Sequence, residues 1–183
     1  MLIRHAEPAR DAAACAAIYA PMVAESVISL EEVPPDGAEM ERRMVAISAA
    51  FPWLVAESDG DVVGYAYASR HHERAGYRWA ADVTIYVQPS HRGRGVGRQL
   101  YTALLALLAR QGLCIACAGI TLPNPASVGL HEALGFTPLG IYRQIAFKHG
   151  RWWDVGWWQL ELPATTGDPP PDPGPPARLA ELS

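Results

Sequence analysis

A glycine- and arginine-rich turn at residues 88–97, Gln-Pro-Ser-His-Arg-Gly-Arg-Gly-Val-Gly, constrains this chain more than any other stretch. An apolar run rich in β-branched residues precedes it at 83–87, and a leucine-rich segment with helical spacing follows at 98–110. Glycine permits positive φ and lets the backbone approach a ligand closely. The amides of the first helical turn then point at an anion, along the positive end of the helix dipole. The order of strand, turn and helix therefore predicts a pyrophosphate site, with Arg92 and Arg94 as charged donors.

Other phosphate-binding motifs fit this turn less well. A P-loop ends in Gly-Lys-Ser/Thr, whereas this turn ends in Gly97-Arg98-Gln99. The Rossmann fingerprint follows the first strand of a repeated βαβ unit, and its spacing differs from that of Gly93, Gly95 and Gly97. An ordinary tight connection with solvated arginines remains the alternative interpretation of the turn taken alone.

Composition limits the classes of protein to which the chain can belong. With 183 residues, of which 50% are hydrophobic and 19% charged, it predicts one globular domain. The net charge of −4 disfavours nucleic-acid binding, which normally requires a basic surface. No apolar run is long enough for a membrane span, and charged residues near the start argue against a signal peptide. The 3 cysteines fit a reducing, cytoplasmic setting. The pair Cys114 and Cys117 lacks a second pair or a histidine cluster, so no metal is expected.

Hydrophobic periodicity and turn residues predict an α/β domain with one central mixed sheet of about seven strands flanked by helices. Helices are predicted at 11–19, 38–49, 98–110 and 125–134, and strands at 3–6, 53–57, 62–68, 81–87, 113–122, 139–148 and 152–162. Pro21 is expected to perturb the end of the first helix. The domain is predicted to span residues 1–162. Proline and small polar residues dominate 163–183, which predicts an extended or disordered tail.

The turn at 92–97 resembles the Arg/Gln-x-x-Gly-x-Gly/Ala signature of the GNAT superfamily of N-acetyltransferases, which hold the pyrophosphate of acetyl-coenzyme A. Further stretches resemble one branch, the phosphinothricin and methionine sulfoximine N-acetyltransferases; they lie at 51–57, 82–87, 100–105, 122–124, 131–136 and 147–159. The likeness covers residues 2–162 in order and with compatible spacing. It implies a single acyl-coenzyme A N-acyltransferase domain, which matches the predicted element order, with acetyl-coenzyme A as co-substrate and no metal.

The resemblance also implies which residues contact the coenzyme. They are Ile85, Tyr86, Val87, Arg92, Gly93, Arg94, Gly95, Val96, Gly97, Arg98 and Asn124. The amides of the strand at 85–87 would run beside the pantetheine and face the thioester oxygen, where a backbone donor stabilises the tetrahedral oxyanion. A plain core strand is the alternative for these three residues, and a helix N-cap is the alternative for Asn124.

Asp82 and His131 correspond to the family residues that remove a proton from the amine. Relatives have a glutamate where this chain has Asp82, whose carboxylate reaches one methylene less far. A bridging water or a shifted substrate would cover the difference. The ordinary pKa of histidine lies near neutrality, which suits proton transfer in both directions. The alternatives are a solvated strand end for Asp82 and a helix-surface histidine for His131.

On the acceptor side, the resemblance points to Leu30, His72, Arg74 and Tyr77. Arg74 would bind the carboxylate of an amino acid as a two-pronged donor. His72 stands where relatives have a basic residue, and Leu30 stands where they have a phenylalanine that covers the substrate. The acceptor side therefore departs from the family pattern, while the coenzyme side keeps it.

The resemblance implies a cytoplasmic enzyme that acetylates the amino group of a small amino acid analogue such as phosphinothricin, methionine sulfoximine or methionine sulfone. Direct attack by the amine in a ternary complex is expected, because no cysteine falls in the matched site positions. The family is usually dimeric, so a homodimer is expected, with neither nucleic acid nor a membrane as partner. Two alternatives stay open: another small amine acceptor, for example an arsenic-containing phosphinothricin mimic, and a coenzyme A-binding regulatory domain with weakened catalysis.

Overall fold

The computed structural model describes residues 1–163 and 170–182, which form a seven-stranded sheet and four α-helices. The helices are α1 (Pro8–Ala24), α2 (Gly37–Ser48), α3 (Val96–Gln111) and α4 (Pro125–Glu132), and the strands are β1 (Leu2–His5), β2 (Trp53–Ser58), β3 (Asp61–Arg70), β4 (Ala80–Val87), β5 (Ile115–Leu122), β6 (Thr137–Lys148) and β7 (Arg151–Glu161). The sheet order is β1-β2-β3-β4-β5-β7-β6. The predicted α/β class and the predicted order of elements are confirmed. Among the described helices there is no candidate for a membrane span.

Helix α1 is longer than the sequence predicts, because it begins at Pro8 and continues past Pro21 to Ala24. Proline at the first helical position costs little, since its missing N–H would have no partner within the helix there. An interior proline costs about 3 kcal/mol. Met22 and Val23, directly after Pro21, are buried in the core beneath α1. Because each buried side chain contributes about 2 kcal/mol, their packing outweighs the lost hydrogen bond and the last turn persists.

The two faces of the sheet are covered by different helices. Helix α3 packs on one face, and α1 and α2 pack on the other. Successive side chains of β4 point to opposite faces, so Val83 and Ile85 pack with α3, whereas Tyr86 packs with α1. The same alternation turns Asp82 away from α3.

Strands β4 and β5 separate partway along β4. Their parallel pairing starts at Ala80 and Ile115 and ends at Asp82 and Cys117, while β5 stays paired with β7 as far as Leu122. One edge of β4 beyond Asp82 therefore has no strand partner, and its polar backbone groups face a gap in the sheet. The N-terminal end of α4 borders this gap.

Residues 170–182 belong to the segment expected to be extended or disordered, and they lie against the domain. The amide of Gly174 donates to the carbonyl of Gln111 (2.8 Å), and the indole of Trp79 donates to the carbonyl of Pro171 (2.9 Å). Ala177 is buried in the core beside α3. The physical reason is that an apolar side chain interrupts the prolines and covers apolar surface at the end of α3. The rest of the predicted tail beyond Pro163, residues 164–169 and 183, lies outside the described residues.

Candidate active site

A cavity of about 340 Å³ opens where β4 ends and α3 and α4 begin. All the predicted coenzyme residues except Arg94 line it: Ile85, Tyr86, Val87, Arg92, Gly93, Gly95, Val96, Gly97, Arg98 and Asn124. Residues from the strand, the turn and the fourth helix thus meet in one place. Asn124 also caps α4, because its side chain accepts a hydrogen bond from the amide of Ser127 (3.1 Å). Capping and cavity lining are therefore compatible roles for this residue.

The turn that precedes α3 is built to leave amides free. Gly93 and Gly95 have φ of 72° and 81°, which is the left-handed region. Gly95 is the N-cap of α3 and offers no side chain to accept from the first amides of the helix. These amides lie at the positive end of a helix of 16 residues and border the cavity. Free amides at a long helix start form a ready site for an anion.

Close packing behind the turn also requires glycine. A Cβ at Gly97 would lie 3.1 Å from Cδ2 of Leu130 on α4 and 3.5 Å from Cδ1 of Ile85 on β4. Arg92 extends across the end of β4, where its Nε donates to the carbonyl of Val87 (3.3 Å). The cavity thus combines free amides with the guanidinium groups of Arg92 and Arg98, which is the chemistry that binds phosphates.

His131 lies in the gap between β4 and β5, beside a smaller cavity of about 90 Å³. Its Nδ1 is 2.7 Å from the carbonyl of Ser127, and because a carbonyl can only accept, Nδ1 carries a proton. Its Nε2 is 3.2 Å from the hydroxyl of Tyr101, which donates to the neutral imidazole. Burial lowers the pKa of His131, although the Ser127 carbonyl raises it. Because Ile85, Tyr86, Asn124 and Ser127 border both cavities, the Tyr101–His131 pair is next to the predicted coenzyme site.

Asp82 lies on the other face of the sheet and contacts a histidine that sequence reasoning missed. Its Oδ1 is 2.6 Å from Nδ1 of His71. Burial raises the pKa of Asp82, while the hydrogen bond from His71 lowers it. The thiol of Cys117 on β5 is also close. One ring nitrogen of His71, one carboxylate oxygen of Asp82 and the sulfur of Cys117 all lie within 4.8 Å of one another. In the described part of the chain no hydrogen bond joins Asp82 to His131.

A signal for His71 was present in the strand pattern. The register of β3 and β4 places Ser69 opposite Asp82, and the residue two positions later on the same face is a diagonal neighbour. That residue is His71. It was overlooked because its position in a polar stretch at 70–78 is typical of a solvated loop.

The predicted acceptor residues are not brought into the coenzyme cavity. His72, Arg74 and Tyr77 line a separate cavity of about 450 Å³, whose wall includes residues 172–176. Leu30, in the loop between α1 and α2, borders none of the cavities described above. Tyr77 connects this separate cavity to the His71–Asp82 pair, because its ring centroid lies 4.8 Å from that of His72 and 5.8 Å from that of His71.

The loop that carries Leu30 is held in place by polar contacts that the sequence did not suggest. The Nζ of Lys148 donates to the carbonyls of Val23 (2.6 Å) and Ser29 (2.7 Å). Burial lowers the pKa of this lysine. On the other side of the loop, the carboxylate of Glu31 accepts two hydrogen bonds from a guanidinium on α2. The backbone beside Leu30 is therefore fixed from both sides.

The chain matches the model of a protein family described as "Acetyltransferase (GNAT) domain" over residues 3–157. It is 41% identical to the phosphinothricin N-acetyltransferase of Streptomyces viridochromogenes over 85% of this chain and 86% of that protein. It is 36% identical to the L-methionine sulfoximine/L-methionine sulfone acetyltransferase of Pseudomonas aeruginosa over 84% of this chain and 90% of that protein. Among solved structures, a phosphinothricin acetyltransferase from Sinorhizobium meliloti in complex with AcCoA superimposes with a TM-score of 0.84 and 37% identity, over 88% of each chain.

Proposed function

The chain belongs to the GNAT acetyltransferase family, and we propose that it acetylates the amino group of a small amino acid analogue of the phosphinothricin, methionine sulfoximine or methionine sulfone class. It is an N-acetyltransferase that uses acetyl-coenzyme A. The observation that carries the proposal is the cavity at the junction of β4, α3 and α4, which gathers nearly all the residues that match the coenzyme-binding pattern.

The coenzyme side supplies anion binding and an oxyanion donor. The free amides at the start of α3 and the guanidinium groups of Arg92 and Arg98 would bind the pyrophosphate. The unpaired edge of β4 beyond Asp82 supports a position for the thioester beside free amides. An amide that faces the thioester oxygen stabilises the charge that develops there during acyl transfer.

We assign the two predicted catalytic residues to different proton transfers. Asp82, on the face of the sheet away from α3, belongs to the side where the amine loses its proton. His131, with Tyr101, lies in the gap next to the coenzyme cavity and suits return of a proton to the leaving sulfur. Burial raises the pKa of the Cys117 thiol to about 11, so this thiol stays protonated at neutral pH. Direct attack by the amine is therefore favoured over a covalent acetyl-cysteine.

The acceptor is assigned to the region around Tyr77. We place the substrate carboxylate on Arg74, with His72 and Tyr77 beside it, and we assign Leu30 to the acceptor side from the family pattern alone. The contacts of the Tyr77 ring support this, because they connect the loop at 72–74 to the His71–Asp82 pair. The departures at Leu30 and His72 also favour a second candidate: the same acetyl transfer to a different small amine.

Release of free thiol from acetyl-coenzyme A, measured across a panel of amines, tests the proposal. We expect the highest kcat/KM with methionine sulfoximine, methionine sulfone or phosphinothricin, and lower values with ordinary amino acids and an arsenic-containing phosphinothricin mimic. A preference for another amine would replace the proposed acceptor while keeping the enzyme. Tight binding of coenzyme A without thiol release on any amine would instead identify a regulatory domain.

We also propose a homodimer as the working assembly. Strand β6 forms one edge of the sheet and exposes a run of large apolar side chains: Leu139, Ile141, Tyr142, Ile145 and Phe147. Trp152 of β7 is likewise exposed. An exposed apolar edge of this length is a ready surface for a second chain.

A further inference from the structure

We infer that His71, oriented by Asp82, is the group that removes the proton from the amine, an inference that rests on the proposed acetyl transfer. The shorter side chain of Asp82 does not act alone, because one of its oxygens already lies 2.6 Å from Nδ1 of His71. The imidazole therefore offers a second nitrogen beyond the carboxylate. This is the arrangement in which a carboxylate holds a histidine in the tautomer that can accept a proton at its other nitrogen.

The hydrogen bonds of His71 leave the required lone pair free. An ionised carboxylate can only accept, so Nδ1 of the neutral histidine carries the proton that points at Asp82. Nε2 then carries the lone pair, and it has no hydrogen-bond partner in the described part of the chain. The side chain of His71 is 26% exposed. His131 lacks this freedom, since it is buried and both of its nitrogens are engaged.

Aromatic side chains fix the ring of His71 beside the proposed acceptor region. Its centroid lies 5.8 Å from that of Tyr77 and 6.0 Å from that of Trp157, whose ring it meets nearly edge-on at 84°. Such contacts restrict the imidazole to one orientation. The acceptor residues His72 and Arg74 lie on the same loop as His71, and the ring of Tyr77 contacts both His71 and His72.

The titratable groups that contact this pair come from β3, β4, β5 and the 3₁₀ turn. From β4 the pair includes the carboxylate of Asp82, which stabilises an imidazolium. From β5 the neighbour is Cys117, whose raised pKa keeps it uncharged at neutral pH. Two further titratable neighbours in the described part of the chain are the phenols of Tyr77 in the 3₁₀ turn and of Tyr67 on β3, which interacts with Asp82.

Two protons leave the nitrogen of the bound ammonium during the transfer. The bound ammonium gives one proton to Nε2 of His71, while the Nδ1 proton stays on the hydrogen bond to Asp82. The neutral amine attacks the carbonyl carbon of acetyl-coenzyme A, so the N–C bond forms and the C–S bond breaks as the oxyanion collapses. The second proton moves from the nitrogen to the departing sulfur as the C–S bond breaks. His71 then releases its proton to solvent, which gives one free proton per acetyl group transferred.

A His71→Asn variant separates a proton acceptor from a positioning group. The asparagine amide can still donate to Asp82 from about the place of Nδ1, but it cannot take a proton. We expect kcat to fall about 100-fold, an unchanged KM for acetyl-coenzyme A, and loss of the histidine-range acid limb from the pH profile of kcat/KM. His149→Asn, the same change at an exposed turn, should keep the wild-type kcat and profile. An active wild type whose His71→Asn variant keeps both kcat and the acid limb would overturn the base role alone, whereas a wild type inactive on every amine would overturn the proposed function with it.

A second measurement does not depend on activity. Nitrogen-15 NMR of the imidazoles reports which nitrogen carries the proton in the neutral form. We expect the Nδ1–H tautomer for His71 in the wild type, because the carboxylate of Asp82 can only accept. The Nε2–H tautomer in the wild type would contradict the inference, since Nε2 would then have no lone pair to offer.

Discussion

Burial of His131 gives the free energy of unfolding a pH dependence that can be measured. The pKa of His131 is lowered in the folded protein, mainly by burial, whereas an unfolded histidine titrates near about 6.5. As the pH falls from about 7 to about 5, the unfolded chain therefore binds a proton before the folded one does, and the free energy of unfolding decreases. We expect His131→Gln to show a shallower decrease over this range in urea unfolding followed by circular dichroism.

The control for this experiment is His149→Asn, because His149 is exposed and has φ of 50°, which asparagine tolerates. This variant should keep the slope of the wild type. Burial also lowers the pKa of His5, so the His131→Gln slope should be reduced but not abolished. Equal slopes in all three proteins would mean that His131 is not a buried neutral histidine.

Single side chains were predictable where a motif names them and not where only the fold brings them together. Asp82 and His131 follow from the matched stretches, but His71 is found only through the register of β3 and β4. Lys148 shows the same limit, because a lysine near a hairpin is ordinarily exposed. Its burial depends on two carbonyls that are more than 100 residues away in the chain.

In the turn before α3, Gly95 should be required for its backbone conformation and not because a side chain would clash there. Gly95 has φ of 81°, and a Cβ there would meet nothing closer than Nε2 of Gln99 at 3.9 Å. Gly95→Ala should therefore lower the free energy of unfolding by about 1 kcal/mol through strain. Because the strained turn would shift the amides of α3, we also expect a higher KM for acetyl-coenzyme A and an unchanged KM for the amine.

Gly60 provides a matched comparison in the hairpin between β2 and β3. Its φ is 90°, and a Cβ there would meet nothing within 4 Å. Gly60→Ala should cost a similar free energy of unfolding and leave both KM values unchanged. If both variants raised the KM for acetyl-coenzyme A equally, the effect would come from general destabilisation and not from the turn.

The predicted bounds of the strands show which local sequence signals are sufficient to locate an element. The pattern at 62–87 located β3 and β4 within a few residues, because strand alternation and the Asp-Gly turn are local features. The separation of β4 from β5 after Asp82 has no such signal. Pairing between strands that are far apart in the chain depends on the whole fold, so the sequence could suggest this separation only through the family resemblance.

At the scale of the whole molecule, composition did not predict how the proline-rich C-terminal segment contacts the domain. A proline-rich segment has little apolar surface to bury, and for that reason the tail was expected to be extended or disordered. Yet Trp79, Gln111 and the core around Ala177 provide partners for residues 171–177. Such partners are scattered along the chain and converge only after folding.

The exposed edge at β6 gives the homodimer a direct test. Strand β6 has 12 residues, and the side chains of Ile141 and Phe147 are 47% and 55% exposed. We expect the wild type to sediment with about twice the single-chain mass of 19.8 kDa, and Ile141→Lys combined with Phe147→Lys to sediment as a single chain, because two buried charges at an interface are costly. Val45→Lys, on an exposed position of α2, adds the same charge elsewhere and should leave the dimer intact. A wild type that sediments as a single chain would rule out the homodimer, and a dimer that survives both β6 substitutions would place its interface on another surface.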